Sequence, residues 1–322
     1  MAESESMARP LRVEYEGAIY HVMSRGNRRG RIYGNEGDRL AFLELLARAC
    51  AKTGWQVHAY CLMGNHFHLV LETPQANLVA GMKWLLGVYT QRYNHRHAMS
   101  GHLFGGRYKA MLIDESESEY LRAACDYVHL NPVRAGMVTK GQGLESYEWS
   151  SYPEYLKPAR RRVAWIRTDR LLGEHGLCRG DAAARREFRR RMESLRGEGM
   201  PAQTMKGLRE GWRFGAEDFL ERLIERVELK PGESHGRKER LESGEQKAER
   251  IVREELRQLQ WRESDLTKET KGAPEKVAIA RRIREETTMS LKWIASRLRM
   301  GTWKHVANKL GQYERRDTKR SD

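Results

Sequence analysis

Cysteine is scarce in this 322-residue chain: Cys50, Cys61, Cys125 and Cys178 stand far apart, with no Cys-x-x-Cys pair among them. Such spacing speaks against a zinc ribbon and a disulfide framework, and it fits a reducing cytoplasm. Long apolar runs are missing too. No segment approaches the roughly 20 apolar residues that a spanning helix needs, so no membrane association is expected. The start, Met1 to Arg9, is acidic and small instead of basic then apolar, which does not read as a signal peptide. Internal repeats and long low-complexity tracts are likewise absent, as is the aromatic-rich signature that an RNA-binding RRM sheet uses for stacking. Negative charge is in deficit: 44 Asp and Glu face 59 Lys and Arg, a net charge of +15, with a pI near 9.7. A polyanionic partner follows, nucleic acid first. The length points to more than one folded unit.

What is present concentrates in Tyr60-Cys-Leu-Met-Gly-Asn-His-Phe-His-Leu-Val-Leu-Glu-Thr73. On a strand, alternate side chains share a face, so His66 and His68 point one way while Phe67 and Leu69 point the other. Two steps of roughly 3.3 Å set the imidazoles about 7 Å apart at the backbone. From there both rings reach one ion at metal–nitrogen distances of about 2.1 Å. Half-exposed strand histidines that merely bond a neighbour are the commoner case, so the pair needs partners elsewhere to become a metal site.

Read in order, Gly17–Ser24 is rich in β-formers and predicts a strand. The basic, glycine-punctuated segment Arg25-Gly-Asn-Arg-Arg-Gly-Arg31 suits either phosphates or a solvated turn. Leu40, Phe42, Leu43, Leu46 and Ala47 recur at helical spacing within Asp38–Lys52. Trp55–Met63 and His66–Thr73 predict two strands joined through Gly64-Asn65, a hairpin turn in which Gly and Asn would take unusual dihedrals. Ala76–His95 reads as a second helix and Gly105–Asp114 as a fourth strand. A third helix runs from Ser116 to about Asn131, with Ser116 and Glu119 as a capping box. This order predicts an α+β domain: a ferredoxin-like antiparallel sheet with helices packed on one face, leaving the other free for a site.

Tyr127 and Asn131 lie four apart, on one helix face about 6 Å apart along the axis. Pro132 puts Asn131 at or near a helix end or kink. Without the histidines the two residues read as a core aromatic and a C-terminal cap. His129, two residues on from Tyr127, should face elsewhere.

Five blocks together resemble the REP-associated tyrosine transposases, relatives of the single-tyrosine HUH transposases. They are Tyr-His-Val-Met-Ser-Arg-Gly-Asn (20–27), Asn-His-Phe-His (65–68), Gly-Gly-Arg-Tyr-Lys (105–109), Asp-Tyr-Val-His-Leu-Asn-Pro-Val-Arg-Ala-Gly (126–136) and Trp-Ser-Ser-Tyr (149–152). The resemblance runs from Pro10 to Tyr155. It implies the same fold, with His66, His68 and Asn131 as metal ligands, Mg2+ or Mn2+ as the metal, and Tyr127 as the nucleophile. The implied reaction cleaves and rejoins single-stranded DNA at hairpin-forming repeats and leaves a 5′-phosphotyrosine and a free 3′-hydroxyl. Arg25, Arg28, Arg29, Arg107 and Lys109 are the candidate phosphate contacts, because guanidinium forks match phosphate.

Residues 1–155 are thus expected to form the catalytic domain. Residues 156–245 read as a basic, mostly helical linker region, whose Arg-rich helix Asp181–Leu195 is too polar for a deep core and which turns Gly-, Pro- and Ser-bearing at Pro231–Ser234. Residues 246–322 read as a helical C-terminal domain. There Glu275–Glu286, Leu291–Leu298 capped by Ser290, and Trp303–Leu310 resemble a helix-turn-helix with a turn one residue too long. Lys304, His305, Asn308 and Lys309 would then face DNA; the other reading is a plain helical bundle. A monomer or homodimer is expected. The rival function is a domesticated, non-catalytic DNA-binding regulator.

Overall fold

The computed structural model describes residues 13–177, 181–228 and 244–318. Cys178, the Met1–Arg9 start and the Pro231–Ser234 linker lie outside them. The described residues form two compact units, one holding 13–50 and 55–228, the other 51–54 and 244–318.

The first unit begins β1 (Ala18–Arg25), α1 (Glu36–Thr53), β2 (Gln56–Leu62), β3 (His66–Thr73), α2 (Leu78–Arg96), β4 (Lys109–Ile113), α3 (Ser118–His129) and α4 (Asn131–Arg134). It continues α5 (Tyr152–Leu156), α6 (Thr168–Glu174), α7 (Ala182–Glu198), α8 (Ala202–Arg209), β5 (Arg213–Phe214) and α9 (Phe219–Glu228). The strand order is β2-β3-β1-β4-β5. The first four strands are antiparallel, as the split βαβ order predicts. The two-residue β5 joins β4 in parallel, so the sheet is mixed.

Helices α1 and α2 cover one face. Phe42, Leu45, Leu46 and Ala49 of α1 and Leu78, Met82, Leu85 and Tyr89 of α2 meet Tyr20, Val22, Phe67, Leu69 and Leu71 there. Leu40, read as part of the α1 stripe, is exposed; Leu45 and Ala49 carry the stripe instead. The close approach of α2 to Trp55 requires glycine at position 81, where a Cβ would fall 2.1 Å from the indole ring.

The opposite face is not free, which corrects the one-faced arrangement. Leu121, Ala124, Cys125 and Val128 of α3 cover Ile19, Val70, Met111 and Ile113. The stretch from 156 onward joins the same core through Leu171, Leu172, Phe188, Met192 and Leu208. Helix α7 shows why its composition misled: Ala184, Phe188 and Met192, spaced four apart, make one narrow buried stripe among arginines. Residues 149–151 and 166–167 hydrogen-bond to the β2 edge at Tyr60, Leu62 and Val57, which leaves that edge covered.

Two local expectations change. Neither Gly64 nor Asn65 takes a positive φ; the hairpin closes with Met63 N–H donating to the His66 carbonyl at 2.8 Å. Ser116 does not cap α3, because its hydroxyl donates to Asp114 at 2.7 Å.

The second unit comprises α10 (Gly244–Gln258), α11 (Asp265–Lys268), α12 (Pro274–Glu286), α13 (Leu291–Arg297) and α14 (Trp303–Thr318). Ser290 caps α13, accepting from Trp293 N–H at 3.2 Å. Ile294, Ala295, Leu298 and Val306 point into its core, with Leu310 at the margin. Between α13 and α14 the backbone turns through left-handed Arg299 and Gly301.

Candidate active site

The register of the sheet assembles the site on the α3 side. In β1, Met23 pairs with His68 and Arg25 with His66, so His21, Met23, Arg25, His66 and His68 share one face. Met23 also pairs with Lys109, which puts that lysine in the His68 row. The His66 and His68 ring centroids lie 5.0 Å apart. Tyr127 sits over them from α3, its ring centroid 6.1 Å from that of His68 and 5.8 Å from that of His21. Its ring is buried, edge-on to the His21 and His68 imidazoles with the Arg134 guanidinium against it, and it also belongs to the apolar cluster that holds Val70 and Val128.

Hydrogen bonds orient both strand histidines. Asn65 donates its amide N–H to the Arg29 carbonyl at 3.0 Å, which fixes the amide. Its oxygen then accepts from His66 Nδ1–H at 2.7 Å, so His66 Nε2 carries a bare lone pair. His68 Nδ1 lies 2.9 Å from His21 Nε2. With the shared proton on His68, its Nε2 is bare as well. Burial, with a lesser contribution from the Arg25 charge, pushes His66 down to about 4. Burial likewise pushes His21 to about 4, with a smaller contribution from Arg134, and it holds His68 well below the usual imidazole range. All three are neutral at pH 7, the form that binds a metal.

Helix α3 ends at His129 and α4 opens at Asn131 with Pro132 in its first turn, so Asn131 stands at the junction. Asn131 Oδ1 accepts from Arg134 at 2.9 Å. Its amide nitrogen is buried with no hydrogen-bond partner among the described residues. Arg134 also donates to the Tyr127 carbonyl, and its guanidinium carbon lies 4.0 Å from the Tyr127 ring centroid. His129 turns away: its Nε2 meets Ser151 Oγ at 2.8 Å and its ring packs on Tyr152 and Tyr155.

Among the described residues no cluster of three or more His, Cys, Asp or Glu side chains is suited to a metal ion. The set here is two neutral imidazoles, with the Asn131 amide at the α3–α4 junction. The imidazole pair fits a divalent cation that keeps open positions for phosphate and water. Asn131 fits less directly, since a guanidinium already on its oxygen repels a second cation.

The predicted phosphate contacts are all exposed. Arg25 stands beside His66. Arg28 and Arg29 occupy left-handed backbone at φ 52° and 61°, an uncommon and strained conformation for non-glycine residues. That loop closes only with glycine at position 26, where a Cβ would fall 2.1 Å from the Gly30 carbonyl. Gly105 N–H bonds the Arg25 carbonyl at 2.9 Å, which draws the Arg107 loop to the same end of the sheet. In the second unit Lys304 and Asn308 are exposed on α14, while His305 and Lys309 are half-buried.

Three participants escaped sequence reading. His21 gives no local signal, because its meeting with His68 depends on strand register. Asn65 gives little more. Arg134 was within reach: Tyr127, Asn131 and Arg134 follow the i, i+4, i+7 spacing of one helix face.

Residues 14–131 match the family described as "Transposase IS200 like". No curated protein matches the chain. A solved structure described as a REP-associated tyrosine transposase bound to a REP hairpin aligns at 14% identity with a TM-score of 0.39, over 48% of this chain and 87% of that one.

Proposed function

We propose that the protein cleaves and rejoins single-stranded DNA at hairpin-forming repeats through a covalent bond to Tyr127, a reading supported by the match of residues 14–131 to the IS200-like transposase family. The observation that carries this reading is the convergence of His66, His68 and Tyr127 on one side of the sheet. His66 and His68, whose Nε2 atoms carry the free lone pairs, would hold a divalent cation, Mg2+ or Mn2+, with Asn131 as a further candidate ligand. Such a cation supplies charge neutralisation at a phosphate oxygen.

The Tyr127 oxygen attacks phosphorus and forms a P–O bond as the bond to the 3′ oxygen breaks. The phenolic proton leaves to solvent, and the departing 3′ oxygen takes up a proton. One DNA end is then a 5′-phosphotyrosine and the other a free 3′-hydroxyl. The phosphoester energy is retained in the tyrosine link, so a 3′-hydroxyl can reverse the step without an external energy source. Arg25, Arg28, Arg29, Arg107 and Lys109 hold the strand by its phosphates. Lys304, His305, Asn308 and Lys309 of α14 add a DNA contact in the second unit.

The test uses a pool of randomised single-stranded hairpin oligonucleotides with Mn2+. The parent chain should yield a protein–DNA adduct that survives denaturing electrophoresis, and Tyr127→Phe should bind the pool yet yield none. An adduct persisting in Tyr127→Phe removes the assigned nucleophile. DNA binding without any adduct from the parent favours the non-catalytic regulator.

A further inference from the structure

We propose that Arg134 grips the phosphate of the bond being cut, together with the side-chain amide of Asn131; this rests on the strand-transfer reading above. Arg134 is exposed as a residue, yet its guanidinium lies on the Tyr127 ring, 4.0 Å from the centroid. One nitrogen donates to the Tyr127 carbonyl and, at 2.9 Å, to Asn131 Oδ1. No carboxylate pairs with it among the described residues, and its remaining N–H groups meet no protein acceptor there. An arginine kept for structure pairs with a carboxylate or caps the last carbonyls of a helix. This one ends on neutral oxygens and a π face, with donors to spare.

Asn131 supplies a second, independent sign. Its side-chain nitrogen is buried without an acceptor among the described residues, an unfavourable state that calls for an explanation. A phosphate oxygen is the acceptor that both groups lack. The phenol oxygen lies just beyond the ring on which Arg134 rests. A phosphorus that approaches it to the roughly 3–3.5 Å needed for attack therefore comes within reach of the guanidinium fork. The fork meets two non-bridging oxygens at once, and its charge opposes the negative charge that builds as the new bond forms.

The full chain is compared with Arg134→Gln and Arg134→Lys on the same hairpin pool. Binding is measured by fluorescence anisotropy in EDTA against salt concentration, and single-turnover adduct formation with Mn2+. In Arg134→Gln the slope of log affinity against log salt should fall by about 0.7, the share of one phosphate contact on a single strand. Its adduct rate at saturating DNA should fall about 10²- to 10³-fold, with partial recovery on adding guanidinium ion at millimolar concentration. Arg134→Lys keeps the charge but not the fork, so its slope should stay parental while its rate falls at least about tenfold.

A parental slope and rate in Arg134→Gln overturn the proposal. So does a lost rate that guanidinium leaves unrecovered while the thermal midpoint drops, since that marks a structural brace. Should Arg134→Gln fail to fold, Arg134→Lys decides, and a parental adduct rate there overturns the proposal. If the parent forms no adduct but the slope still drops in Arg134→Gln, the phosphate contact stands and the strand-transfer reading alone falls.

Discussion

The imidazole of His21 has no role in the motif that drew attention to the site, yet it is the group hydrogen-bonded to His68. A partner on the far nitrogen of a metal-binding histidine fixes tautomer and ring orientation, and its loss typically costs 10- to 100-fold in metal affinity. His21→Ala should therefore weaken Mn2+ binding about 10- to 100-fold by calorimetric titration, with little change in DNA affinity measured in EDTA. Unaltered Mn2+ affinity would mean that the His21–His68 contact is only packing. Asn65 performs the matching task for His66 and ties it to the Arg29 carbonyl, so the basic loop and the His66 ring share one hydrogen-bonded residue.

Elements bring these residues together through close approaches that leave little slack. Helix α2 lies so near the start of β2 that Gly81 touches the Trp55 indole, which is held by its N–H bond to Asn77 Oδ1 at 2.8 Å. Alanine is the better helix former by about 1 kcal/mol, but here its methyl would enter the ring. Gly81→Ala should cost about 1–3 kcal/mol in urea unfolding. A gain in stability would show that helix propensity governs the position and that the indole moves freely. The α3–α4 junction follows a similar local logic. The helix breaks at Leu130, α4 restarts at Asn131 with Pro132 in its first turn, and Arg134 returns to bond the Tyr127 carbonyl and the Asn131 oxygen.

For the molecule as a whole, the most general consequence of the buried histidines is a pH dependence of stability. His21 and His66 are pushed to about 4 and His129 to about 3, burial being the main cause in each. An unfolded imidazole titrates near 6.5. Below that value the unfolded chain takes up protons that the folded chain refuses, so stability is full above about 6.5 and is lost as pH falls toward 4. Asp38 and Asp114 are held below the usual carboxylate range by hydrogen bonds that outweigh burial, and they add their loss only at lower pH. The thermal midpoint should be level from pH 7 to 8 and decline steadily between 6.5 and 4.5. A level midpoint across that lower window would contradict neutral burial of these rings.

Much of this arrangement was written locally. Strand alternation alone put His66 and His68 on one face, helical spacing put Tyr127 and Asn131 together, and Pro132 marked the end of α3; each follows from backbone geometry over a few residues. Helices α1 to α3 and the first four strands along the chain were legible for the same reason. The second covered face was not, because α7 hides three buried residues in a polar sequence and α3 could have packed elsewhere. Nor could any spacing show that His21 meets His68 or that Arg134 holds the Asn131 oxygen beside Tyr127. Those neighbours depend on strand register and on where a helix end lands, which tertiary packing alone decides.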